Sequence, residues 1–148
     1  MAEGTSNQLR VRLVTPERTL FDHAADTVEL PAKNGYMEVL YGHAPLLAEL
    51  GAGDVSIHGA SEAAEADIRY NVSWGFVEVL PDRVTILASD ALKPEEIDVP
   101  RAERQLDLGL DLWKKAGESE EAYDEALRII SEAEAKIASA GTAPAKAH

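Results

Sequence analysis

The first two thirds of the chain alternate between apolar and polar residues in short runs. Residues 9–13 alternate leucine or valine with arginine, and similar runs recur up to residue 92 with turn residues about every 8 to 12 positions. Asn34-Gly35 and Pro81-Asp82 are typical hairpin turns. The pattern predicts an all-β sandwich of about ten short antiparallel strands over residues 9–92.

Three small or glycine-bearing segments are expected to break this region further. Gly51-Ala52-Gly53-Asp54 predicts a turn between two strands, and Ser73-Trp74-Gly75 lies between two more. Residues 59–66 are small and polar, which predicts a loose hairpin tip. These breaks raise the predicted strand number and keep each strand short.

The period of the apolar residues changes after Lys93-Pro94 and becomes helical. The first apolar stripe contains Ala102, Leu106, Gly109, Leu110 and Trp113, and the second Tyr123, Ala126, Leu127, Ile130, Ala133 and Ile137. Asp98 and Ser119 are the expected N-caps, and Ala116-Gly117 ends the first helix. The pattern predicts an antiparallel α-helical hairpin over residues 93–140, a flexible N-terminus at residues 1–8 and a disordered tail at residues 141–148.

Composition narrows the classes of partner. The chain has 148 residues and a formal charge of −13, from 14 basic and 27 acidic residues, which disfavours binding to nucleic acid or to an anionic membrane. Cysteine is absent, so disulfides and thiolate chemistry are excluded. No apolar run approaches the ~20 residues that span a bilayer, and the first residues do not resemble a signal peptide. We therefore expect a peripheral protein that reaches a membrane only through another protein.

Catalytic motifs are scarce. The four histidines, His23, His43, His58 and His148, lack metal-ligand spacing, and Ser73 lacks the context of a nucleophile. There is no glycine-rich phosphate loop or dinucleotide fingerprint. In Gly42-His43-Ala44-Pro45, the simplest interpretation is a turn whose imidazole binds nearby backbone. A metal-dependent enzyme on a cupin-like sandwich is the alternative to a chain without catalytic activity.

Several segments, in order and in register, resemble one family. Gly42 to Leu47 is similar to the GHAPLL segment of the epsilon subunits of bacterial F-type ATP synthases. Residues 73–79 resemble that family's SGGFxEV strand, and residues 84–88 its VTILA strand. The resemblance covers residues 9–137.

This resemblance implies a role in a rotary complex at the cytoplasmic face of the bacterial inner membrane. The sandwich of such a non-catalytic subunit binds the γ subunit and the c-ring, and couples proton-driven rotation to ATP synthesis. The hairpin folds down, or extends along γ to the catalytic α/β head and inhibits ATP hydrolysis. No catalytic residue, metal or cofactor is implied, except for a regulatory ATP.

The resemblance also implies two sets of site residues. The γ and c-ring contacts would come from a loop at residues 35–43, through Tyr36, Glu38, Tyr41, Gly42 and His43. An ATP site would use Ile97, Asp98, Arg101 and Ala102, which fit an I/L-D-x-x-R-A motif, together with Arg128. A helix N-terminus with an arginine suits a phosphate. The alternative is that Asp98 is a plain N-cap beside a solvated Arg101.

Overall fold

The computed structural model describes residues 7–60 and 67–142. The expected flexible N-terminus, the hairpin tip and the disordered tail lie mostly outside these residues. Gln8, placed in the flexible segment from sequence, donates its side-chain amide to Asp26 Oδ1 at 3.0 Å and to the Gly59 carbonyl at 3.3 Å. The chain divides into two compact units, Met1–Ala91 and Leu92–His148.

Seven strands lie in the described part of the first unit. They are β1 (Leu9–Val14), β2 (Thr19–Ala25), β3 (Thr27–Ala32), β4 (Gly35–Leu40), β5 (Leu46–His58), β6 (Ile68–Leu80) and β7 (Arg83–Leu92). They hydrogen-bond in the order β2-β1-β7-β6-β5-β3-β4. The β-sandwich fold class is confirmed, but the expectation of about ten strands is too high.

The strand number was overestimated because two expected breaks lie inside long strands. Gly51–Asp54 is not a turn but part of β5, and Ser73–Gly75 is part of β6, each 13 residues long. The two strands pair continuously on both sides of the break, from Leu46 opposite Val79 to Ile57 opposite Ile68. Glycine lowers strand propensity without forbidding a strand, so local sequence overstated the interruption.

The long β5–β6 hairpin belongs to both layers of the sandwich. The first half of β5 and the second half of β6 form one layer with β7, β1 and β2. We call this layer sheet I. The second half of β5 and the first half of β6 form the other layer with β3 and β4. We call this layer sheet II. The buried side switches between the halves: Leu50 is buried before the bend and Val55 after it, although their positions differ in parity.

The bend is made by unusual backbone at the centre of β6. Trp74 has φ 57° and Gly75 φ 133°, both in the left-handed region. A Cβ at Gly75 would overlap the carbonyl oxygen of Leu87 in β7. The lack of a side chain therefore lets the neighbouring strand pass close enough for the layers to fold over a shared core.

Apolar side chains from both layers fill that core. Sheet I contributes Leu9, Val11, Leu13, Phe21, Val77, Val84 and Ile86, and sheet II contributes Val28, Leu30, Val39, Val55, Ile57 and Val72. Each side chain of this size stabilises the fold by roughly 1.5–3 kcal/mol when fully buried.

One strand pairing differs from expectation. β1 runs parallel to β7, so the sandwich is not wholly antiparallel.

The second unit contains a 3₁₀ turn (Pro94–Glu96) followed by α1 (Val99–Lys115) and α2 (Glu120–Gly141). Both expected caps are present. Asp98 Oδ1 accepts from the Arg101 N–H at 3.1 Å, and Ser119 Oγ accepts from the Ala122 N–H at 3.2 Å. The helical hairpin of the predicted fold class is thus confirmed, with α2 ending at Gly141.

The two helices are held together by small residues. Ala102 and Gly109 are the buried residues of α1, while α2 buries Ala126, Ala133 and Ser139. A Cβ at Gly109 would lie 2.8 Å from Ile130 Cγ1, so the helices approach closely there. Six of the larger apolar side chains stay exposed: Leu108, Leu110, Leu112, Trp113, Tyr123 and Leu127. The hairpin therefore buries little of its own apolar surface.

We predict that Gly75→Ala destabilises the sandwich by about 3 kcal/mol, because it adds both backbone strain and a clash with β7. Gly51→Ala is the matched control at the same bend. Its Cβ would meet atoms no closer than 3.5 Å, so its effect should stay within about 1 kcal/mol. Urea denaturation of both variants measures the difference. Equal losses would show that the bend does not require glycine at position 75.

Candidate functional site

The expected contact residues do not form one loop. Gly35–Leu40 is strand β4, the edge strand of sheet II, and only Tyr41, Gly42 and His43 follow it as a turn. At about 3.4 Å per residue, Tyr36 and Tyr41 are separated by about 17 Å along the chain. The structure therefore divides the set into a strand face and a turn.

The strand face carries Tyr36 and Glu38. Tyr36 is 59 % exposed, and its hydroxyl accepts the Asp54 N–H at 3.0 Å, so the ring lies across β3 onto β5. Gly53 makes room for it, because a Cβ there would approach both the Tyr36 hydroxyl and Pro31. Glu38 stands directly opposite Glu29, on the same outer face. This face presents an aromatic ring beside two carboxylates.

The turn is anchored to its own sandwich. The Gly42 N–H donates to the Pro81 carbonyl at 2.7 Å, with φ 91° at Gly42. The ring of the half-buried His43 bonds through Nδ1 to the Ala44 carbonyl at 2.8 Å, as the simplest interpretation of this motif predicted. Tyr41 is exposed beside it. The turn thus presents one aromatic side chain and the free edge of an imidazole at the end of the sandwich that carries Pro81.

A charged surface on sheet I was missed from sequence. Arg10 and Arg12 point outward from β1, and the parallel pairing with β7 puts Arg83 directly opposite Arg10. The alternation of residues 9–13 gave the outward direction of the first two arginines. Arg83 could not be placed beside them without the β1–β7 pairing, which joins distant parts of the chain. A basic patch on so acidic a chain is a candidate interaction surface.

Asp22 on β2 is the counter-charge of this patch. It lies 2.7 Å from Arg10 Nε and 3.6 Å from Arg12 Nε. The hydrogen bond from Arg10 lowers the pKa of the Asp22 carboxyl below its ordinary value, against the opposing effect of desolvation. The charges of Arg10, Arg12 and His23 lower this pKa further. Asp22 is therefore held in its charged form.

The candidate nucleotide residues are only partly brought together. Ile97 and Ala102 are buried, while Asp98 and Arg101 meet at the start of α1. The contacts of Gln105 with Glu132 and of Trp113 with Tyr123 define the antiparallel register of the helices. The four motif residues therefore lie together at the helix start, and Arg128 does not join them.

That register places Lys136 near the level of Arg101. Arg128 lies near the level of Gly109, about 12 Å along the axis from Arg101 at 1.5 Å per residue. Lys136 is itself only 12 % exposed and lies 3.6 Å from Glu132. The basic group that α2 places at the level of the motif is thus already beside a carboxylate.

Neither a metal site nor a membrane span is visible in the described residues. Across residues 7–60 and 67–142, no three side chains of histidine, aspartate or glutamate converge as metal ligands. Within the same ranges, no helix has the length and apolarity required to cross a bilayer.

Comparison with known proteins identifies the family. The model of the ATP synthase delta/epsilon chain beta-sandwich domain matches residues 8–94, which is more than half of the chain. The chain belongs to the ATP synthase delta/epsilon chain family. The resemblance to epsilon subunits that the GHAPLL, SGGFxEV and VTILA segments indicated is thereby confirmed.

Relatives of the chain carry the epsilon name. An ATP synthase epsilon chain from Koribacter versatilis is 46 % identical over 92 residues, which cover 62 % of this chain and 61 % of that protein. One from Dehalococcoides mccartyi is 41 % identical over 95 residues and 65 % of its length. This chain thus spans slightly less than two thirds of these relatives. The chloroplastic epsilon chain of Porphyra purpurea is 32 % identical over 144 residues, covering 93 % and 98 %.

A solved structure shares the fold. A chain in the Euglena gracilis mitochondrial ATP synthase (OSCP/F1/c-ring, rotational state 1) has a TM-score of 0.72 at 19 % identity, covering 93 % of this chain and 84 % of that one. Members of this delta/epsilon family are subunits of ATP synthase and not enzymes on their own. The prediction of an accessory chain is therefore confirmed at the level of the family.

We predict that Asp22→Asn lowers the free energy of unfolding at pH 7 by less than about 1 kcal/mol, because the pair is exposed. The folded pKa of Asp22 lies below its unfolded value, so its contribution is complete above about pH 4–5 and is lost as the pH falls through the folded pKa. The difference between variant and wild type should therefore shrink in acid.

Urea denaturation at pH 7 and near pH 3 measures this change. Glu17→Gln, in the exposed turn before β2, is the control that removes one carboxylate away from the arginines. A stability difference for Asp22→Asn that stayed constant down to pH 3 would contradict the assigned ion pairs.

Proposed function

We propose that the chain is a non-catalytic rotor-stalk subunit of an F-type ATP synthase, which binds the γ subunit and the c-ring and regulates ATP hydrolysis through its hairpin. The observation that carries this proposal is the match to the Porphyra epsilon chain, which extends over 93 % of this chain and so includes both units. The Euglena neighbour, solved within an F1/c-ring assembly, supports the same place in the complex.

The sandwich is the part suited to coupling. Its core is built from large branched side chains, and the turn at Gly42 is hydrogen-bonded to the Pro81-Asp82 turn. A rotor element has to transmit torque without deforming, and a closely packed core meets that requirement. Tyr41 and His43 are the groups we assign to the c-ring, and the Tyr36–Glu38 face is a second contact with γ or the c-ring.

The hairpin is the part suited to regulation. Its helices meet through alanine and glycine, and six large apolar side chains remain exposed. Most helical stability in proteins comes from packing of an apolar face, so this hairpin gains stability from whichever surface covers it. Exchange between two such surfaces, the folded-down position and the catalytic α/β head, is the proposed switch.

The proposed function does not include bound ATP. The Asp98 carboxylate already accepts the Arg101 N–H, which is one of the donors that an anion at this helix start would use. Arg128 lies about two turns away along the hairpin, at 3.6 residues per turn. We therefore assign Asp98 the role of N-cap, which calorimetric titration of wild type and Arg101→Ala with ATP can test.

The proposed place of action is the cytoplasmic face of the bacterial inner membrane, as a peripheral subunit. The charge of −13 is repelled by anionic lipid headgroups. Attachment through γ and the c-ring avoids that repulsion, so the membrane contact is made by the complex and not by this chain.

We predict that the chain forms a stable complex with the γ subunit of its own ATP synthase. We further predict that Tyr41→Ala combined with His43→Ala lowers ATP-driven proton pumping in the reconstituted enzyme, because the c-ring contact is lost. Size-exclusion chromatography and a pH-sensitive dye in vesicles measure the two effects.

Arg18→Ala is the control for this experiment, because Arg18 lies in the turn that follows the other end of β1. A wild-type chain that did not bind γ would overturn the proposed function. Unchanged pumping in the double variant, with γ binding intact, would exclude the turn as the c-ring contact.

We predict that Leu112→Gln combined with Leu127→Gln raises ATP hydrolysis toward the rate of the enzyme without this chain. Both leucines are exposed, so the isolated protein should keep its stability while contact with the head is weakened. Asp124→Asn on α2 is the control. Hydrolysis that remained as low as with the wild-type chain would argue against regulation through this apolar surface.

A further inference from the structure

The outer face of sheet I contains a local conflict of charge. Arg10 on β1 and Arg83 on β7 stand directly opposite each other, and like charges in that position destabilise a sheet. Arg12 follows two residues along on the same face. We call these three side chains the arginine row. A chain with nearly twice as many acidic as basic residues has concentrated three of its arginines here.

The arginine row is incompletely neutralised. Asp22 serves both Arg10 and Arg12, and Arg83 has no acidic partner among the residues that the structure describes. Glu78 of β6 is exposed on the same outer face, so Asp22 and Glu78 together leave one excess positive charge around the row. The side chains of Arg10 and Arg12 are still 52 % and 46 % exposed, so their guanidinium groups remain accessible.

Apolar side chains continue the surface beyond the arginines. Val14 pairs with Leu87, which is 50 % exposed, and Phe76 on the adjacent strand is also exposed. The outer face of sheet I thus passes from basic to apolar within a few residues of each strand. An amphipathic segment with carboxylates at one end and apolar side chains at the other complements this arrangement.

We propose that the arginine row binds carboxylate side chains of such an amphipathic segment in the γ subunit. The inference rests on the proposed function, since γ is the partner that function assigns. Guanidinium groups pair with carboxylates in bidentate geometry, which favours arginine at protein interfaces. Three cations on a body of charge −13 are too few to hold a nucleic acid or an anionic membrane.

The decisive variant is Arg83→Glu, because the proposal gives opposite signs for folding and for binding. In the free chain, the introduced carboxylate would face Arg10 and replace a repulsion by an attraction, so the melting temperature should rise or stay the same. Binding to γ at low salt should weaken about tenfold, and its dependence on salt should decrease. Misfolding cannot produce this combination.

Two further variants complete the experiment. Arg18→Glu makes the same change of net charge outside the row and should leave the affinity within about twofold. Asp22→Asn frees Arg10 and Arg12, and should tighten binding to γ by up to about fivefold, which is the effect of one exposed charge pair. Titration calorimetry at two salt concentrations measures all four proteins.

The outcomes separate the inference from the proposed function. Wild type that fails to bind γ overturns both, whereas wild type and Arg83→Glu that bind γ equally overturn the inference alone. A loss of affinity in Asp22→Asn as large as in Arg83→Glu also overturns it, because it would indicate general disturbance of the strands. Binding of wild type, but not Arg83→Glu, to vesicles of equal parts phosphatidylcholine and phosphatidylserine would assign the row to lipid instead.

Discussion

The sandwich depends on one close approach of backbone to backbone. At Gly75 the β6 strand turns its other side to the core, and the Leu87 carbonyl of β7 occupies the space where a side chain would be. This bend lets a single β5–β6 hairpin serve two layers, so that both inner faces share one core. Trp74 accepts φ 57° next to it, a conformation that costs a non-glycine residue about 1–2 kcal/mol. Packing of the two layers offsets that cost.

The two units bury side chains of different size and therefore differ in stability. The sandwich buries leucine, isoleucine and valine between layers, whereas the hairpin buries alanine and glycine between helices. Burial of a larger side chain removes more apolar surface from water, so the sandwich has the larger stability of its own. The hairpin leaves six large apolar side chains exposed, so its stability depends on the surface that covers them. This difference is the physical basis for assigning coupling to one unit and regulation to the other.

Local patterns predicted most of the elements but not their long-range arrangement. The caps Asp98 and Ser119 followed from side-chain chemistry that acts within three residues, and the strand faces followed from alternation. The number of strands could not be predicted correctly in this way, because in the sequence a glycine inside a bent strand resembles a glycine in a turn. The arginine row and the separation of Arg101 from Arg128 were also out of reach, since both depend on register between elements that no local pattern specifies.

The parallel pairing of β1 with β7 has a consequence for how the chain is made. Arg10 and Arg83 are paired although 73 positions separate them. One edge of β1 therefore stays unpaired until β7 has been synthesised. A nascent chain on the ribosome carries β1 with an open edge throughout the synthesis of the sandwich, and such edges promote wrong association. The outward arginines of β1 place positive charge on this unpaired strand. That charge opposes its pairing with the same strand of another incomplete chain before β7 is available.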